Sequence, residues 1–200
     1  MLNNMPYSYS IHSADPHAVC NLSSEIIKLV DKYYSPFDDL AVLCIGTDRS
    51  TGDCLGPLVG YKLTSSCNLN DVHILGTLDK PIHAKNLKTT IESIYSELNN
   101  PFLIAVDASL GRSENIGKIN LYNGPLSPGS GVNKSLESVG NISLTGIVNV
   151  SGYMEYIVLQ NTRLSIVMQL AEIIAASLHM SLLGILSDKE TYRKNCFNRI

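Results

Sequence analysis

Residues 40–57 read LAVLCIGTDRSTGDCLGP, and this stretch decides the fold class. The unbroken apolar run LAVLCI at 40–45 is typical of a strand that is covered on both faces of a largely parallel sheet. Gly46 ends the run, and Pro57 suits the first turn of a following helix. The stretch therefore predicts a strand, a glycine-rich loop and a helix, which together begin an α/β unit.

The alternation of strand and helix patterns continues along the chain. The later predicted strands are 72–76, 102–106, 119–122 and 142–150. The predicted helices are 21–34, a helix from about 57, 84–98, and a long one after Asn161 or Thr162. This order predicts a three-layer α/β/α sandwich with a mainly parallel central sheet. We expect a single α/β domain over residues 1–200, with 1–20 as a lead-in whose order depends on docking.

Composition limits both size and partners. Two hundred residues, of which 44% are hydrophobic, suffice for one well-packed domain but hardly for two. Fifteen Lys and Arg against eighteen Asp and Glu give a net charge of −3, and the basic residues form no run. Phosphate-backbone binding lacks its electrostatic signature, so we expect no nucleic-acid partner.

The cysteines and the apolar segments indicate the compartment. The five cysteines are odd in number and contain no C-x-x-C pair, so neither a disulfide framework nor a thiolate zinc site is expected. The longest uncharged apolar stretch, 173–186, falls short of the ~20 residues that cross a bilayer. We therefore expect a cytoplasmic protein without a membrane span.

The loop at 46–57 carries the first candidate site residues. In open parallel sheets, ligands bind at the carboxyl ends of the strands, where this loop begins. Its glycines match neither the dinucleotide fingerprint nor a P-loop, so a nucleotide site is not favoured. Asp53 is a candidate for chemistry, although it could instead cap the following helix. We assign Gly46, Asp48, Arg49 and Gly52 to substrate binding.

Asp107 follows the apolar run FLIAV at 102–106, so it should lie at the same sheet edge as Asp53. Two converging carboxylates can share a proton and activate water, because each charge raises the pKa of its neighbour. Asp107 could instead be an ordinary turn residue. Arg49 and Arg112 follow closely on Asp48 and Asp107, respectively, where they could orient carboxylates or a substrate or be solvated surface residues. We assign Arg112 to substrate binding as well.

Two other groups could carry chemistry. His83, in KPIHAKNL, could join Asp53 and Asp107 around zinc or nickel, or could simply stand at a helix start. The segment 52–56 is a cysteine form of the nucleophile elbow, and Cys54, Asp107 and His179 occur in hydrolase order. An elbow follows its strand directly, whereas Cys54 comes well after Gly46, so a packing role for Cys54 is favoured.

The chain resembles the YyaC family of sporulation proteins. The resemblance covers roughly residues 40 to 175 and rests on CIGTDRSTGDCLGPLVGYKL, PIHAKNL, IAVDASLGR, PGSGVNKSL and TGIVNVSGYMEYIVLQNTRLS. More distantly, the chain looks like the germination protease and the hydrogenase maturation peptidases, which are α/β/α peptidases. The resemblance therefore implies a phosphorylase/hydrolase-like fold of the hydrogenase maturation peptidase type.

The same resemblance implies an activity. The two aspartates of the germination protease map onto Asp53 and Asp107, which would activate water while backbone N–H groups of the 46–57 loop stabilise the oxyanion. The hydrogenase peptidases add a later histidine and grip nickel, but the only later histidine here is the distant His179. The resemblance thus implies a sporulation-associated peptidase that cleaves a protein or peptide in the cytoplasm of the sporulating cell or forespore. The alternative is a non-catalytic peptide- or metal-binding protein that retains the fold, and either could be a homo-oligomer.

Overall fold

The computed structural model describes residues 8–66, 69, 71–128 and 138–197, with side chains up to Lys189 in the last helix. The strands are β1 (Ser8–His12), β2 (Leu40–Cys44), β3 (Val72–Leu75), β4 (Phe102–Gly111), β5 (Lys118–Asn123) and β6 (Ile142–Val150). The α-helices are α1 (Ala18–Tyr33), α2 (Leu55–Ser66), α3 (Leu87–Glu97), α4 (Glu155–Gln160) and α5 (Leu164–Phe197). Short 3-10 turns cover Gly52–Cys54 and Ser113–Asn115.

The six strands form one sheet in the order β1-β5-β6-β4-β2-β3. The pairs β2–β3, β2–β4 and β4–β6 are parallel, whereas β1–β5 and β5–β6 are antiparallel. A large hydrophobic cluster packs α1, α2 and α5 against one face of the sheet, and a smaller cluster packs α3 against the other. The predicted α/β/α class with a mainly parallel sheet is confirmed.

The apolar runs became strands because they are buried on both faces. All five residues of β2 are buried, and their side chains alternate between the two clusters, with Val42 in the larger and Leu43 in the smaller. The same alternation holds in β4, where Ile104 faces the larger cluster and Ala105 the smaller. Continuous hydrophobicity is the pattern of strands covered by helices on both sides.

Helix α5 contributes more buried residues to the larger cluster than any other helix, and it packs against α1 and α2. Its segment Leu164–Lys189 is, by length and composition, apolar enough to cross a membrane, whereas the sequence had indicated only the shorter stretch 173–186. Half of that segment is buried inside the protein. Core helices have this composition as well, and eight buried residues of this segment belong to the cluster over the sheet.

The structure corrects two predictions: the lead-in over 1–20 and the end of the strand that was predicted at 102–106. The predicted lead-in over 1–20 contains β1, which pairs with β5 and places Ile11 opposite Ile119 in the core. Strand β4 does not stop at Asp107 but continues to Gly111, because β6 pairs with it over that whole length.

The predicted loop at 123–140 is partly structured. Leu126 and Val139 form an isolated antiparallel bridge, and both are buried in the smaller cluster. Residues 129–137, and with them most of the PGSGVNKSL segment, lie outside the described residues. Of the cysteines, Cys20, Cys44 and Cys54 are free thiols. Cys67 and the side chain of Cys196 lie outside the described part of the chain.

Helix α2 approaches the sheet closely, and we predict that Gly60→Ala destabilises the fold. A Cβ at Gly60 would lie 2.1 Å from the backbone oxygen of Gly76, so the helix must shift. Overpacking of this kind costs about 1–3 kcal/mol, which should appear as a lower midpoint of urea unfolding.

Gly184→Ala is the matched control for that substitution. A Cβ at Gly184 in α5 would meet only the side chain of Ile27, at an ordinary distance of 3.7 Å. Removing a helical glycine there should leave stability unchanged or raise it by up to about 1 kcal/mol. Equal midpoints for Gly60→Ala and Gly184→Ala would contradict the close packing of α2 on the sheet.

Candidate active site

A cleft of about 420 Å³ opens where β4 runs on beyond the end of β2. Strand β4 lines it with residues 107–110, and the loop after β2 contributes Ser50 and Asp53. Helix α4 forms the opposite wall with four of its residues, and Leu126, Ser127 and Thr145 complete the lining. The cleft lies at the carboxyl ends of parallel strands, where ligands bind in open α/β sheets.

Asp107 is a buried carboxyl within the sheet and is only 7% exposed. It lies opposite Thr145 of β6, and its Oδ1 accepts a hydrogen bond of 2.8 Å from the backbone N–H of Ala108. Burial raises the pKa of Asp107 well above its usual range, and the charge of Asp53 raises it further. The hydrogen bond from Ala108 acts in the opposite direction but is the smallest of the three effects.

Asp53 belongs to the 3-10 turn that links the loop to α2, and Gly46 lets this turn fold back on the strand. Gly46 has φ +143°, and a Cβ there would lie 2.0 Å from the backbone oxygen of Asp53. That oxygen accepts the N–H of Thr47 at 3.1 Å. Partial burial raises the pKa of the Asp53 carboxyl, whereas the Thr47 backbone and the charge of His83 lower it.

Burial raises the pKa of both aspartates, but their environments differ in degree. Asp107 is the more buried carboxyl, and the negative charge of Asp53 favours a proton on it. Asp53 is only partly buried and has two groups that favour its ionised form. A single proton on the pair is therefore favoured on Asp107 over Asp53.

The five residues assigned to substrate binding do not line the cleft. Gly46 and Gly52 shape the backbone behind it, since a Cβ on Gly52 would lie 2.8 Å from side-chain atoms of Leu159 and Thr162. Asp48, Arg49 and Arg112 are exposed. Arg112 has a 4.0 Å ion pair with Glu114 on the surface.

The charge of His83 acts to lower the pKa of Asp53, but His83 does not line the cleft. Its Nδ1 accepts a 3.4 Å hydrogen bond from the N–H of Lys85. Within residues 8–66, 69, 71–128 and 138–189, no three His, Cys, Asp or Glu side chains are grouped to hold a metal ion. The predicted zinc or nickel site of His83, Asp53 and Asp107 is therefore not assembled among these residues, although imidazole and carboxylate are suitable ligands for such ions.

The cysteine alternative is not supported by the arrangement. Burial raises the pKa of the Cys54 thiol, and the charges of Asp48 and Asp53 raise it further. A nucleophilic cysteine needs the opposite shift, because only the thiolate attacks. His179 lies in the middle of the α5 sequence, and neither His179 nor Cys54 lines the cleft.

Two cleft features were missed by sequence reasoning. One is helix α4, which follows Met154, a residue whose left-handed φ of +58° turns the chain. Asn149 Nδ2 donates a 3.3 Å hydrogen bond to the backbone oxygen of Val158 in this helix and a 3.2 Å bond to Thr162 Oγ1 just after it. The spacing of Gly152 and Glu155 was a usable signal, because Glu155 Oε1 accepts the Gly152 N–H at 3.2 Å much as in a capping box.

The second missed feature is Ser50. Its Oγ is buried and has no hydrogen-bond partner in the described part of the protein, although Ser50 lines the cleft beside Asp53. A buried hydroxyl without a partner is uncommon, because desolvation is not compensated. No sequence pattern distinguishes this serine from its polar neighbours in the loop.

Comparisons with known proteins agree with the architecture. Residues 10–177 match the model of a family described as "Protein of unknown function (DUF1256)". The protein named "Uncharacterized protein YyaC" from Bacillus subtilis (strain 168) is 48% identical over 177 residues, which are 88% of this chain and 80% of YyaC.

A solved structure shares the fold. The crystal structure of the NiFe hydrogenase maturation protease HycI from Thermococcus kodakarensis superposes with a TM-score of 0.52 and 16% identity. The match covers 80% of this chain and 99% of HycI. Because the family model spans most of the chain and YyaC is nearly half identical to it, the chain belongs to the DUF1256 family of YyaC-like proteins and has a HycI-like α/β fold.

Proposed function

We propose that the protein is a peptidase that uses Asp53 and Asp107 as an acid–base pair to hydrolyse a peptide bond. The observation that carries this proposal is the single cleft that both carboxyls line, in which the charge of one raises the pKa of the other. Paired carboxyls with separated proton affinities are the usual means of combining acid and base chemistry at neutral pH. The likeness to a protease fold supports the same reaction class.

The reaction balances with these two groups and water. The ionised Asp53 takes a proton from water while the water oxygen bonds to the carbonyl carbon of the substrate. The protonated Asp107 then gives its proton to the amide nitrogen as the C–N bond breaks. A carboxylic acid and an amine leave, and transfer of one proton from Asp53 to Asp107 restores the pair.

Ser50 supplies a hydrogen-bond donor for the developing oxyanion. Of the backbone N–H groups of the 46–57 loop, to which this task was assigned, those of Gly46, Thr47, Arg49 and Cys54 already donate hydrogen bonds within the protein. The buried Ser50 hydroxyl has no such partner among the described residues, and Ser50 lines the same cleft as both aspartates. A donor that is already desolvated and fixed stabilises charge without reorganisation.

The biological setting is a proposal from the resemblance to the YyaC family. We place the protein in the cytoplasm of the sporulating cell or forespore, acting on a spore protein or peptide. Its dispersed charge predicts no nucleic-acid partner. Association of copies into a homo-oligomer is a separate prediction.

The first test replaces each aspartate by asparagine, which preserves size and removes the proton chemistry. Asp53→Asn and Asp107→Asn should each lower the cleavage rate by about 10²–10⁴-fold, because a general acid or base contributes that much. The double variant should be scarcely slower than either single one, since the two groups act as a unit. The measurement is the initial cleavage rate of a peptide library obtained from a bacterial proteome digest, followed by mass spectrometry.

Cys54→Ser is the matched control in the same turn. It should retain most of the activity, and alkylation of the thiol should not inhibit, because Cys54 is not the nucleophile in this account. Abolished activity in Cys54→Ser would transfer the reaction to the thiol. A wild-type protein that binds peptides but cleaves none would instead favour the non-catalytic binding protein.

The second test uses pH and stability. Because the folded state raises the pKa of Asp107, the folded protein holds a proton that the unfolded chain releases above its ordinary carboxyl pKa of about 3.9. Stability should therefore fall as the pH rises through that window toward the folded pKa, and stay lower above it. Asp107→Asn removes the ionisable group and should be more stable than the wild type at pH 7–8.

Urea unfolding between pH 4 and pH 8 measures this difference. Asp48→Asn removes an exposed carboxylate from the neighbouring loop and should keep the pH dependence of the wild type. If Asp107→Asn also follows the wild-type curve, Asp107 does not hold its proton in the folded state.

The third test concerns Ser50. Ser50→Ala should lower the cleavage rate by up to about 10²–10³-fold, the effect of losing one oxyanion donor. It should not destabilise the fold, because the hydroxyl has no partner to lose among the described residues. Ser23→Ala is the control, since Ser23 Oγ in α1 is equally unpartnered but does not line the cleft. Similar rates for the two variants would remove Ser50 from the mechanism.

A further inference from the structure

We infer that the cleft binds an extended peptide as an added β-strand along β4 beyond Asp107, with an apolar side chain against the α4 wall. This inference rests on the proposed peptidase function, because it names how the substrate would be held for that reaction. It is carried by the lengths and pairing of the strands and by the lining of the cleft.

Strand β4 has an unpaired side next to the catalytic residues. Its partner β2 pairs only with Phe102–Val106, whereas β6 pairs with β4 from Ile104 to Gly111. Within the described residues, no strand pairs with the β2 side of β4 from Asp107 onward. The interior of the sheet thus contains a short open edge, and open edges are templates for another strand.

The alternation of the backbone shows which groups face this open edge. The N–H of Phe102 donates to Asp39 on the β2 side, and the oxygen of Val106 accepts the N–H of Ile45 there, both at 2.7 Å. Backbone groups on a strand alternate in direction from one residue to the next. Even-numbered positions of β4 therefore direct their hydrogen-bonding groups toward the β2 side.

The far end of β4 keeps this alternation. The oxygen of Gly111 accepts the N–H of Ser151, which follows β6, at 2.7 Å. Ala108 and Leu110 consequently face the open edge. The N–H of Ala108 is used by the Asp107 carboxylate, so the oxygen of Ala108 and both groups of Leu110 are placed to pair with a peptide.

The open edge and the reacting groups share one cleft. Ala108, Ser109 and Leu110 line it, and Asp107 is the next residue along the strand. A peptide paired with this edge would pass between Asp107 and the loop that carries Asp53. Main-chain bonds of this type give affinity for any extended chain, and adjacent pockets give side-chain specificity.

The remaining lining favours an apolar side chain. Leu110, Leu126, Tyr156 and Leu159 contribute carbon surface around the cleft. Leu126 is 8% exposed and Tyr156 is 55% exposed, so the pocket extends from the core to an aromatic rim. Alternate side chains of an added strand would point to this wall, so the substrate class is an extended segment with an apolar residue near the cleaved bond.

The test measures retention of the proteome-derived peptide library on the immobilised full-length Asp107→Asn variant, which should bind without turnover. Retained peptides should carry an apolar residue and should be depleted of proline at alternate positions about tenfold, because proline has no N–H for the ladder. Tyr156→Ala in this background should weaken retention about tenfold. Tyr153→Ala, which removes a 90% exposed neighbour outside the cleft, should not weaken it.

The outcomes separate this inference from the proposed function. Retention that ignores proline, no retention at all, or equal effects of Tyr156→Ala and Tyr153→Ala would overturn strand addition. If the wild type cleaves library peptides and the cleaved peptides are not depleted of proline at alternate positions, the peptidase proposal stands and strand addition fails. If peptides are retained with the predicted pattern but the wild type cleaves none, strand addition stands and the peptidase proposal fails.

Discussion

The cleft exists because two neighbouring strands of the sheet differ in length. Strand β2 ends at Cys44, where Gly46 turns the chain away, but β4 continues to Gly111 with only β6 beside it. The extra length carries Asp107 past the last pair of β2 and β4 without taking it out of the core. The same difference leaves room for the loop to bring Asp53 to the gap. Without this difference in strand length, β2 would pair with β4 to the end of both strands, and no gap would form between them.

Burying the Asp107 carboxyl beside the cleft costs stability, because a charged carboxylate loses its hydration there. Asp107 is held by a single backbone hydrogen bond and has no cationic partner in the described ion pairs. Its burial and the charge of Asp53 together favour the protonated form. Ser50 is a second buried polar group without compensation in the same cleft. Such uncompensated groups tend to concentrate at sites that are shaped for function rather than for stability.

The sequence predicted the parts of the fold that depend on local pattern. The run FLIAV predicted the buried half of β4, because a continuous apolar run indicates a covered strand without knowledge of its partners. Strand β6 was also predicted over its full length. Strand β1 was missed, since Ile11 is its only buried residue and its register depends on β5. The end of β4 was misplaced because only pairing with β6 keeps Asp107 within a strand.

The site was predictable only in part, because several of its features also depend on contacts between residues that are distant in sequence. The convergence of Asp53 and Asp107 follows from two strand ends at one edge, which the alternation of elements implies. The wall formed by α4 and the unpartnered Ser50 hydroxyl depend on contacts between residues that are distant in sequence. The same holds for Gly52, whose missing side chain leaves space for Leu159 in that wall. The charge of His83 acts on the pKa of Asp53, but among the described residues no third metal-binding side chain is grouped with these two.

The most direct measurement is the carboxyl ¹³C NMR titration of the protein labelled at aspartate, with Asp53→Asn and Asp107→Asn used to assign the two signals. The account predicts that Asp107 titrates above the ordinary carboxyl range and that its pKa falls when Asp53 is replaced by Asn. Titration of both carboxyls in the ordinary range, or an Asp107 signal that is indifferent to Asp53→Asn, would contradict the shared-proton pair.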